Sequence, residues 1–260
     1  MKSLLSTLLE NRILILELAK RDIRDRYVGQ IFGYVWFLLN SVFTIIVYIF
    51  LFGFIYKSNK IPANNFPLYL ISGFVPWTFL TESMSKAVIS ISSNSALVKQ
   101  VVFPIEVLPI KVVLGASISL GLNLIILCTF SIYMNGLNGI LLMLPILIIC
   151  LILFALGIAF MLSAIGSFLK DLKDVVQFFS SIGIYLIPIV YFESLIPSSL
   201  KPFTLLNPFT HVVFCFQDVF YYEKMIHVNS WFILPLISIC LSLIGFSFFK
   251  KFKFSIGNFL

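Results

Sequence analysis

The sequence predicts an all-α protein that crosses a membrane several times, and three observations support that fold class. The chain has 260 residues, of which 60% are hydrophobic and only 11% are charged, whereas about one quarter of the residues in soluble domains are charged. Several stretches are long and apolar enough to span a bilayer, and no long polar stretch leaves room for a soluble domain. The Lys and Arg residues, finally, gather beside alternate stretches.

Residues 1–29 predict an amphipathic helix in the membrane interface, followed by a basic linker. Leu5, Leu8, Leu9, Ile13 and Leu16 recur at helical spacing, and charged residues occupy other positions. A short helix that packs on a partner protein is the alternative, and the two interpretations are compatible. The segment has neither the unbroken apolar run nor the small-residue cleavage site of a signal peptide.

Six membrane-spanning helices are predicted, because a helix of about 20 apolar residues crosses the bilayer. The stretch "MNGLNG" at 134–139 is a turn signal that divides an uncharged run too long for one helix. The spans lie within a transmembrane domain at 30–252, which precedes a cytoplasmic tail at 253–260. Their approximate bounds are 31–56, 66–91, 110–133, 140–167, 175–193 and 230–249.

The basic residues predict that both termini are cytoplasmic. With the N-terminus inside, fourteen of the 18 Lys and Arg residues fall on the cytoplasmic side, and only Lys57, Lys60, Lys201 and Lys224 fall outside. This sorting also explains the net charge of +7, so the charge does not indicate nucleic-acid binding.

Two connections between the predicted spans have unusual sequences. The cytoplasmic loop at 93–109 predicts a short helix, which Ser93, Asn94 or Ser95 would cap and which Pro104 and Pro109 interrupt. The outer segment at 195–225 is long and apolar yet contains prolines, so we expect a pair of short re-entrant helices there. "NPF" at 207–209 predicts the start of one of them, with Asn as the cap and Pro in the first turn.

Motifs for catalysis are absent from the sequence. It contains no nucleotide-binding GxxxxGK[ST] loop, no HExxH and no GxSxG, which argues against an enzyme and against a metal site. His211 and His227 show no arrangement around them and are interpreted as interfacial side chains. Four cysteines without CxxC spacing are interpreted as buried, inert thiols: Cys128, Cys150, Cys215 and Cys240.

Ionisable residues are nearly absent from the spans, which argues against ion-coupled transport. Glu82 and Lys86 are spaced for a structural ion pair on one helix. Uncharged polar and aromatic residues recur at four-residue spacing, and they either line a path for a sugar polymer or pack one helix on another. They are Trp36, Asn40, Thr44 and Tyr48, then Gly73, Trp77, Thr81 and Ser85, then Gln177, Ser181 and Tyr185.

Four stretches together resemble the membrane subunits of type-2 ABC exporters. They are "RDIRDRYVGQIFGYVW", "NSALVKQVVFPIEVLPI", "LKDLKDVVQF" and "LNPFTHVVFCFQD". The chain is most similar to the polysaccharide branch, whose members move lipid-linked O-antigen, capsule or teichoic acid. The resemblance extends from about Leu18 to the basic C-terminal tail.

The resemblance implies a homodimer in the bacterial cytoplasmic (inner) membrane, joined to two copies of an ABC ATPase that binds ATP and Mg. It implies no cofactor in this chain itself. The residues expected to contact the ATPase are Asn94, Leu97, Lys99, Phe103 and Pro104. Those expected to line the translocation path are Tyr34, Trp36, Asn40, Trp77, Thr81 and Tyr185. Those expected in an outer, periplasmic gate are Asn207, Pro208 and Phe209.

The basic linker also suggests a role for three arginines. Our hypothesis is that Arg21, Arg24 and Arg26 receive the pyrophosphate of the carrier lipid, because arginine matches phosphate geometry. The alternative is plain anchoring at the inner membrane face, with Asp22 and Asp25 as pairing partners. Two other functions remain open: a type-2 permease for a drug or small lipid, and a membrane-bound glycan-assembly enzyme.

Overall fold

The computed structural model describes residues 4–27, 65–99 and 103–259, together with the helical residues 39, 42, 43, 46, 47 and 50. This part of the chain consists of helices and turns and contains no strand, so the predicted all-α class is confirmed. The first predicted span, at 31–56, lies largely outside the described residues.

The described helices follow the apolar pattern closely. Three of them are long and apolar enough to cross a membrane, at Val107–Asn135, Gly139–Gly166 and Val228–Lys253. The α-helices are α1 Leu4–Glu10, α2 Arg12–Tyr27, α3 Phe66–Ile89, α4 Ser95–Val98, α5 Val107–Asn135, α6 Leu144–Gly166, α7 Leu172–Leu186, α8 Lys201–Leu206, α9 Pro208–Gln217 and α10 Val228–Phe259. Short 3₁₀ turns precede α4, α6 and α8, at Ser92–Asn94, Gly139–Met143 and Glu193–Leu195, and a π-helical turn follows α9 at Asp218–Tyr222.

The turn predicted at 134–139 is present. Helix α5 ends at Asn135, and Gly136 follows with a φ of 85°. Glycine adopts this angle without steric cost, and its N–H still donates to the Ile132 carbonyl. The chain then reverses, so α5 and α6 are separate helices.

Helix α7 differs from the predicted span at 175–193, because it ends at Leu186. Pro188 disfavours helical backbone at the residue before it, and Ile187 is accordingly extended. The freed Pro188 carbonyl accepts hydrogen bonds from the Tyr69 hydroxyl (3.0 Å) and Gln217 Nε2 (2.8 Å). The chain after α7 is therefore fixed to α3 and α9, although it is not helical.

Helix α10 also differs from its predicted span at 230–249. It continues to Phe259, so most of the predicted tail at 253–260 is helical. It packs on α6 where two glycines meet: a Cβ at Gly157 would overlap the Leu241 backbone, and a Cβ at Gly245 would overlap the Gly157 backbone. Small residues allow this close approach of backbones, which is the usual basis of helix packing in membranes.

Candidate functional site

Polar contacts between distant segments concentrate at two opposite ends of the bundle. We call the end formed by residues 90–111, α2 and the C-terminal part of α10 the basic end, and the end formed by 187–227 the histidine end. Helix α3 begins at the histidine end and finishes at the basic end. Most of the described Lys and Arg residues lie at the basic end, whereas Lys201 and Lys224 lie at the histidine end.

The short helix predicted in the 93–109 loop is present at the basic end as the 92–98 segment, a 3₁₀ turn followed by α4. Asn94, one of the three predicted caps, occupies the N-cap position of α4, but its side chain makes no capping hydrogen bond. The backbone runs from α3 into this segment through Ser90 and Ile91 with helical angles. The side chains of Ser93 and Asn94 instead hydrogen-bond back to carbonyls at the end of α3.

The residues predicted to contact an ATPase differ in exposure. Lys99 is exposed, as is Ala96 beside it, and Leu97, Phe103 and Pro104 are partly buried. Phe103 packs against the core of the bundle.

The side chain of Asn94 is turned inward. Its Nδ2 donates to the Ser90 carbonyl at 2.7 Å, and its Oδ1 accepts from Lys111 Nζ at 3.3 Å.

Pro109 lies in the first turn of α5, where a missing N–H is tolerated. Contact of all five predicted residues with an ATPase stays a prediction.

Two lysines form ion pairs between segments at the basic end. Lys111 Nζ lies 2.9 Å from Asp22 Oδ1 of α2, and the lysine side chain is 3% exposed. Lys253 Nζ of α10 lies 2.6 Å from Glu106 Oε1, just before α5. Both pairs join segments that are far apart in the sequence, so they position α2 and α10 on the start of α5.

The predicted lipid-phosphate residues lie on or beside this contact. Arg21 and Arg24 are exposed on α2, and Arg26 belongs to the same helix, although its side chain lies outside what the structure describes. Asp22, suggested above as a partner of the arginines, binds Lys111 from another helix. A phosphate contact of the arginines stays a prediction.

At the histidine end, His227 is held between two carboxylates. Its Nδ1 lies 2.7 Å from Asp218 Oδ1, and its Nε2 lies 2.9 Å from Glu193 Oε2. Its backbone N–H and Trp231 Nε1 both donate to Asp218 Oδ2, at 3.0 and 2.9 Å. The Phe214 ring stacks on the imidazole with 4.0 Å between centroids. The interpretation of His227 as an interfacial side chain without partners is therefore wrong.

The surroundings of His227 favour its protonated form. Burial lowers its pKa, but the hydrogen bonds and charges of Asp218 and Glu193 raise it by more, so the net shift is upward from 6.5. A protonated imidazole donates from both ring nitrogens, one to each carboxylate. This arrangement, here called the His227 clasp, joins the segments after α7, after α9 and before α10.

The interpretation of His211 as interfacial is also wrong, because this side chain is buried. Its Nδ1 lies 2.9 Å from Ser230 Oγ, and its Nε2 lies 3.0 Å from the Leu205 carbonyl. Helices α8, α9 and α10 thus meet through one imidazole. Sequence reasoning missed both histidine arrangements, although acidic residues within the apolar 193–227 stretch were a signal that partners existed.

The predicted pair of short helices in the 195–225 segment is present as α8 and α9. The predicted cap is confirmed as well: Asn207 Oδ1 accepts from the Phe209 N–H at 3.1 Å, and Pro208 occupies the first turn. The Phe209 ring packs on Trp77 and Phe154, with centroids 5.8 and 5.3 Å apart. A role of these residues in a gate stays a prediction.

The predicted path residues are not brought together in the described part of the chain. Trp77 is 3% exposed and packs against Phe179 and Phe209, filling the space above Gly183, so its ring serves as a packing residue in this structure. Thr81 bonds the Thr78 carbonyl within its own helix. Tyr34, Trp36 and Asn40 lie outside the described residues, as do Thr44 and Tyr48. The path role of all six predicted residues stays a prediction.

Tyr185 is exposed and borders a cavity of about 540 Å³ at the histidine end. The cavity is mostly apolar, and Asn207 and Thr204 supply polar atoms to its wall. Its other lining residues are Leu186, Tyr191, Leu195, Ile196, Pro197, Leu200 and Phe203.

Two further predictions concern thiols and the charged pair in α3. All four cysteines are free, but Cys240 is exposed on α10, so the expectation that every thiol is buried is wrong.

Glu82 and Lys86 form the predicted ion pair on α3. Among the described residues no group of His, Cys, Asp and Glu side chains is arranged to hold a metal ion.

Comparison with known proteins is consistent with this architecture. A model of the ABC-2 type transporter family matches residues 14–221. The O-antigen export system permease protein RfbA is 25% identical to the chain in Klebsiella pneumoniae and 26% identical in Myxococcus xanthus, in each case over 95% of both chains. The polysialic acid transport protein KpsM of Escherichia coli is 23% identical over 74% of this chain and 75% of its own length. The chain therefore belongs to the ABC-2 type transporter family, as a membrane component.

Proposed function

We propose that the chain is the permease subunit of an ATP-driven exporter that moves a lipid-linked polysaccharide across the bacterial cytoplasmic membrane. The observation that carries the proposal is the similarity to O-antigen export permeases along 95% of both chains. The family match includes most of α2, the 92–98 segment and α9. The apolar helices and the lack of nucleotide-binding motifs in the sequence agree with a transport subunit whose energy comes from another chain.

In this proposal the basic end faces the cytoplasm and the histidine end faces outward. The unequal distribution of Lys and Arg between the two ends supports this orientation, since basic residues are retained on the inner side. Six spans with both termini inside follow from it, with residues 31–56 as the first span. Helix α2 then lies at the inner interface, and α8 and α9 re-enter the membrane from outside.

We also propose that two copies of the chain form the path, with two copies of an ABC ATPase below them. Helix α7 carries large exposed apolar side chains at helical spacing, Val175, Phe178 and Ile182, and this stripe is suited to a second subunit. A cysteine at Phe178 should cross-link to its copy in membranes. A cysteine at Ile118, exposed on α5, is the control and should not.

The ATPase binds ATP and Mg. Its conformational change on ATP binding and hydrolysis displaces the 92–98 segment of this chain. Lys99 and Ala96 present exposed side chains to the partner. At the other end, α8 and α9 act as the gate, and Tyr185 stacks on sugars beside the cavity. The arginines of α2 receive the phosphate of the carrier lipid where the substrate enters.

Purification with the ATPase encoded nearest to this chain tests the proposal. We expect the two proteins to purify together, and ATP hydrolysis in proteoliposomes to depend on the chain and to rise with lipid-linked polysaccharide. Stimulation by drugs or simple lipids instead of the polysaccharide would indicate the small-molecule class. A chain that assembles with no ATPase would refute the proposal.

A further inference from the structure

A buried lysine connects the 92–98 segment to helix α2. Lys111 Nζ donates to Asp22 Oδ1 on α2 at 2.9 Å and to Asn94 Oδ1 at 3.3 Å. The lysine side chain is 3% exposed and Asp22 is 37% exposed. One ammonium group thus holds two elements that are otherwise separated by about 70 residues of chain.

The connection extends into the bundle through the other side of Asn94. Asn94 Nδ2 donates to the Ser90 carbonyl at 2.7 Å, directly after α3. The Ser90 hydroxyl lies 3.0 Å from the Ser163 hydroxyl of α6, and Ser163 also donates to the Ala87 carbonyl of α3. The position of Lys111 therefore depends on α2, α3, α6 and the 92–98 segment together.

Desolvation makes this contact difficult to break. An ammonium group that is buried without acceptors has a large free-energy cost, which hydrogen-bonded partners offset. If the 92–98 segment moved away by itself, Lys111 would lose Asn94, and if α2 moved away by itself, it would lose the carboxylate of Asp22. The arrangement of lowest cost is the one in which both elements move as a unit with the start of α5.

We propose that Lys111 is a positioning residue for ATP-driven transport, which makes α2 follow the displacement of the 92–98 segment. The inference rests on the proposed function, because the displacement comes from the ATPase. Its consequence is that the substrate entrance beside α2 and the site of energy input change conformation together.

Helix α10 supplies a matched control at the same end of the bundle. Lys253 forms an ion pair with Glu106, just before α5, and among the side chains that the structure describes it hydrogen-bonds to neither α2 nor the 92–98 segment. Removal of this second pair perturbs the basic end without separating the two elements. Lys111→Met and Lys253→Met both replace a lysine by an apolar side chain of similar length.

Transport and ATP hydrolysis in the reconstituted complex are the first readouts. We expect Lys111→Met to lower polysaccharide export about tenfold while ATP hydrolysis changes by less than about twofold, a loss of coupling in the usual range. Lys111→Arg should restore most of the export, because it keeps the charge and the donors. Export by Lys111→Met equal to that by Lys253→Met would overturn the proposal.

A distance measurement separates positioning from a general loss of stability. Spin labels are attached to cysteines at Glu17 and Ser92, both exposed, in a variant without the four native cysteines. The distance between them should stay constant when ATP is added, and it should change with ATP in Lys111→Met. If Lys111→Met does not assemble, Asp22→Ala removes only the α2 contact and should give the same change. The proposal would be overturned if, in whichever of these two variants assembles, the distance between the labels did not change when ATP is added.

The two proposals fail in different ways. If the unmodified complex hydrolyses ATP but exports no polysaccharide, the proposed substrate is wrong, and the spin-label distance still tests Lys111. If the unmodified complex exports polysaccharide and the variants behave like Lys253→Met, only the role of Lys111 is wrong.

Discussion

The two ends of the bundle are held by ionic contacts of different character. At the histidine end, Asp218 is 0% exposed and accepts three hydrogen bonds, and a stacked phenylalanine covers the imidazole. At the basic end, long lysine side chains reach carboxylates that are less completely buried, at Asp22 and Glu106. A lysine has a flexible four-carbon stem, whereas an imidazole bonds only in the plane of its ring.

This difference bears on how each end takes part in transport. Contacts through flexible lysine side chains can persist while the joined segments shift together. This property suits the basic end if, as proposed, the ATPase acts there. The His227 clasp tolerates little displacement, so opening the histidine end requires the clasp to move as one body or to break. In the proposed exporter, the basic end would therefore be the part that transmits movement.

The largest effect is expected from the most buried group of the clasp. Asp218→Ala leaves the Trp231 indole N–H, the His227 backbone N–H and His227 Nδ1 without their acceptor. Removing one partner of a buried ion pair costs about 3–5 kcal/mol, so the midpoint of thermal unfolding in detergent should fall strongly. Asp174→Ala, at an exposed position of α7, should leave it unchanged. Equal midpoints for the two variants would show that the clasp does not stabilise the fold.

The second prediction concerns pH and uses His227→Gln. Because folding raises the pKa of His227 above 6.5, its stabilisation is complete below pH 6.5 and is lost as pH rises through the folded pKa. The facing groups are the carboxylates of Asp218 and Glu193, with the rings of Phe214 and Tyr222 packed beside them.

The free energy of unfolding of the wild type should therefore exceed that of the variant by about 2 kcal/mol at pH 6, the range for hydrogen bonds to charged groups. The difference should shrink toward pH 9. Unfolding midpoints across this pH range give the measurement, and a difference that grows with pH would contradict the assigned protonation state.

A smaller effect is expected at the basic end from Lys253→Met. The lysine is partly exposed, so the loss of its pair with Glu106 should cost about 1 kcal/mol, between the values for surface and buried pairs. Lys251→Met, at an exposed position two residues earlier, is the control. If Lys253→Met lowered the free energy of unfolding as much as Asp218→Ala does, the two ends would not differ in how strongly their ion pairs stabilise the fold.

The smallest effect is expected from Lys20→Met on α2. The Lys20–Glu17 pair is 67% and 66% exposed, and pairs of this kind contribute less than about 0.5 kcal/mol. The unfolding midpoint should remain within experimental error of the wild type, measured at low salt where the pair is strongest. A clear loss at Lys20 would mean that α2 is held by its exposed charges rather than by Asp22 and Lys111.

Much of the fold could be predicted from the sequence, because apolar length and turn residues act locally. The end of α5 at Asn135 and the Asn207 cap of α9 both follow from residues within a few positions. The end of α7 at Leu186 is also encoded locally, in Pro188, but the predicted span follows the apolar run, which continues past this proline to Phe192. Hydropathy does not distinguish a helix from an extended chain that is hydrogen-bonded inside a protein.

The contacts at the two ends could not be predicted in this way. Lys111 and Asp22 are 89 residues apart, and Glu193 and His227 are 34 apart, so no spacing rule joins them. Trp77 lies on a polar stripe whose helical spacing fits a translocation path and helix packing equally well. In this structure its contacts with the Phe179 and Phe209 rings show that it packs between helices.

The most direct test of the account is export by proteoliposomes that contain this chain and its ATPase. Lipid-linked polysaccharide is placed on the side that faces the ATPase, and its appearance on the other side is measured with a glycan-specific lectin. The polysaccharide should cross only with ATP, and export should fall about tenfold in Lys111→Met. Transfer that proceeds equally without ATP, or no transfer by an assembled and ATP-hydrolysing complex, would contradict it.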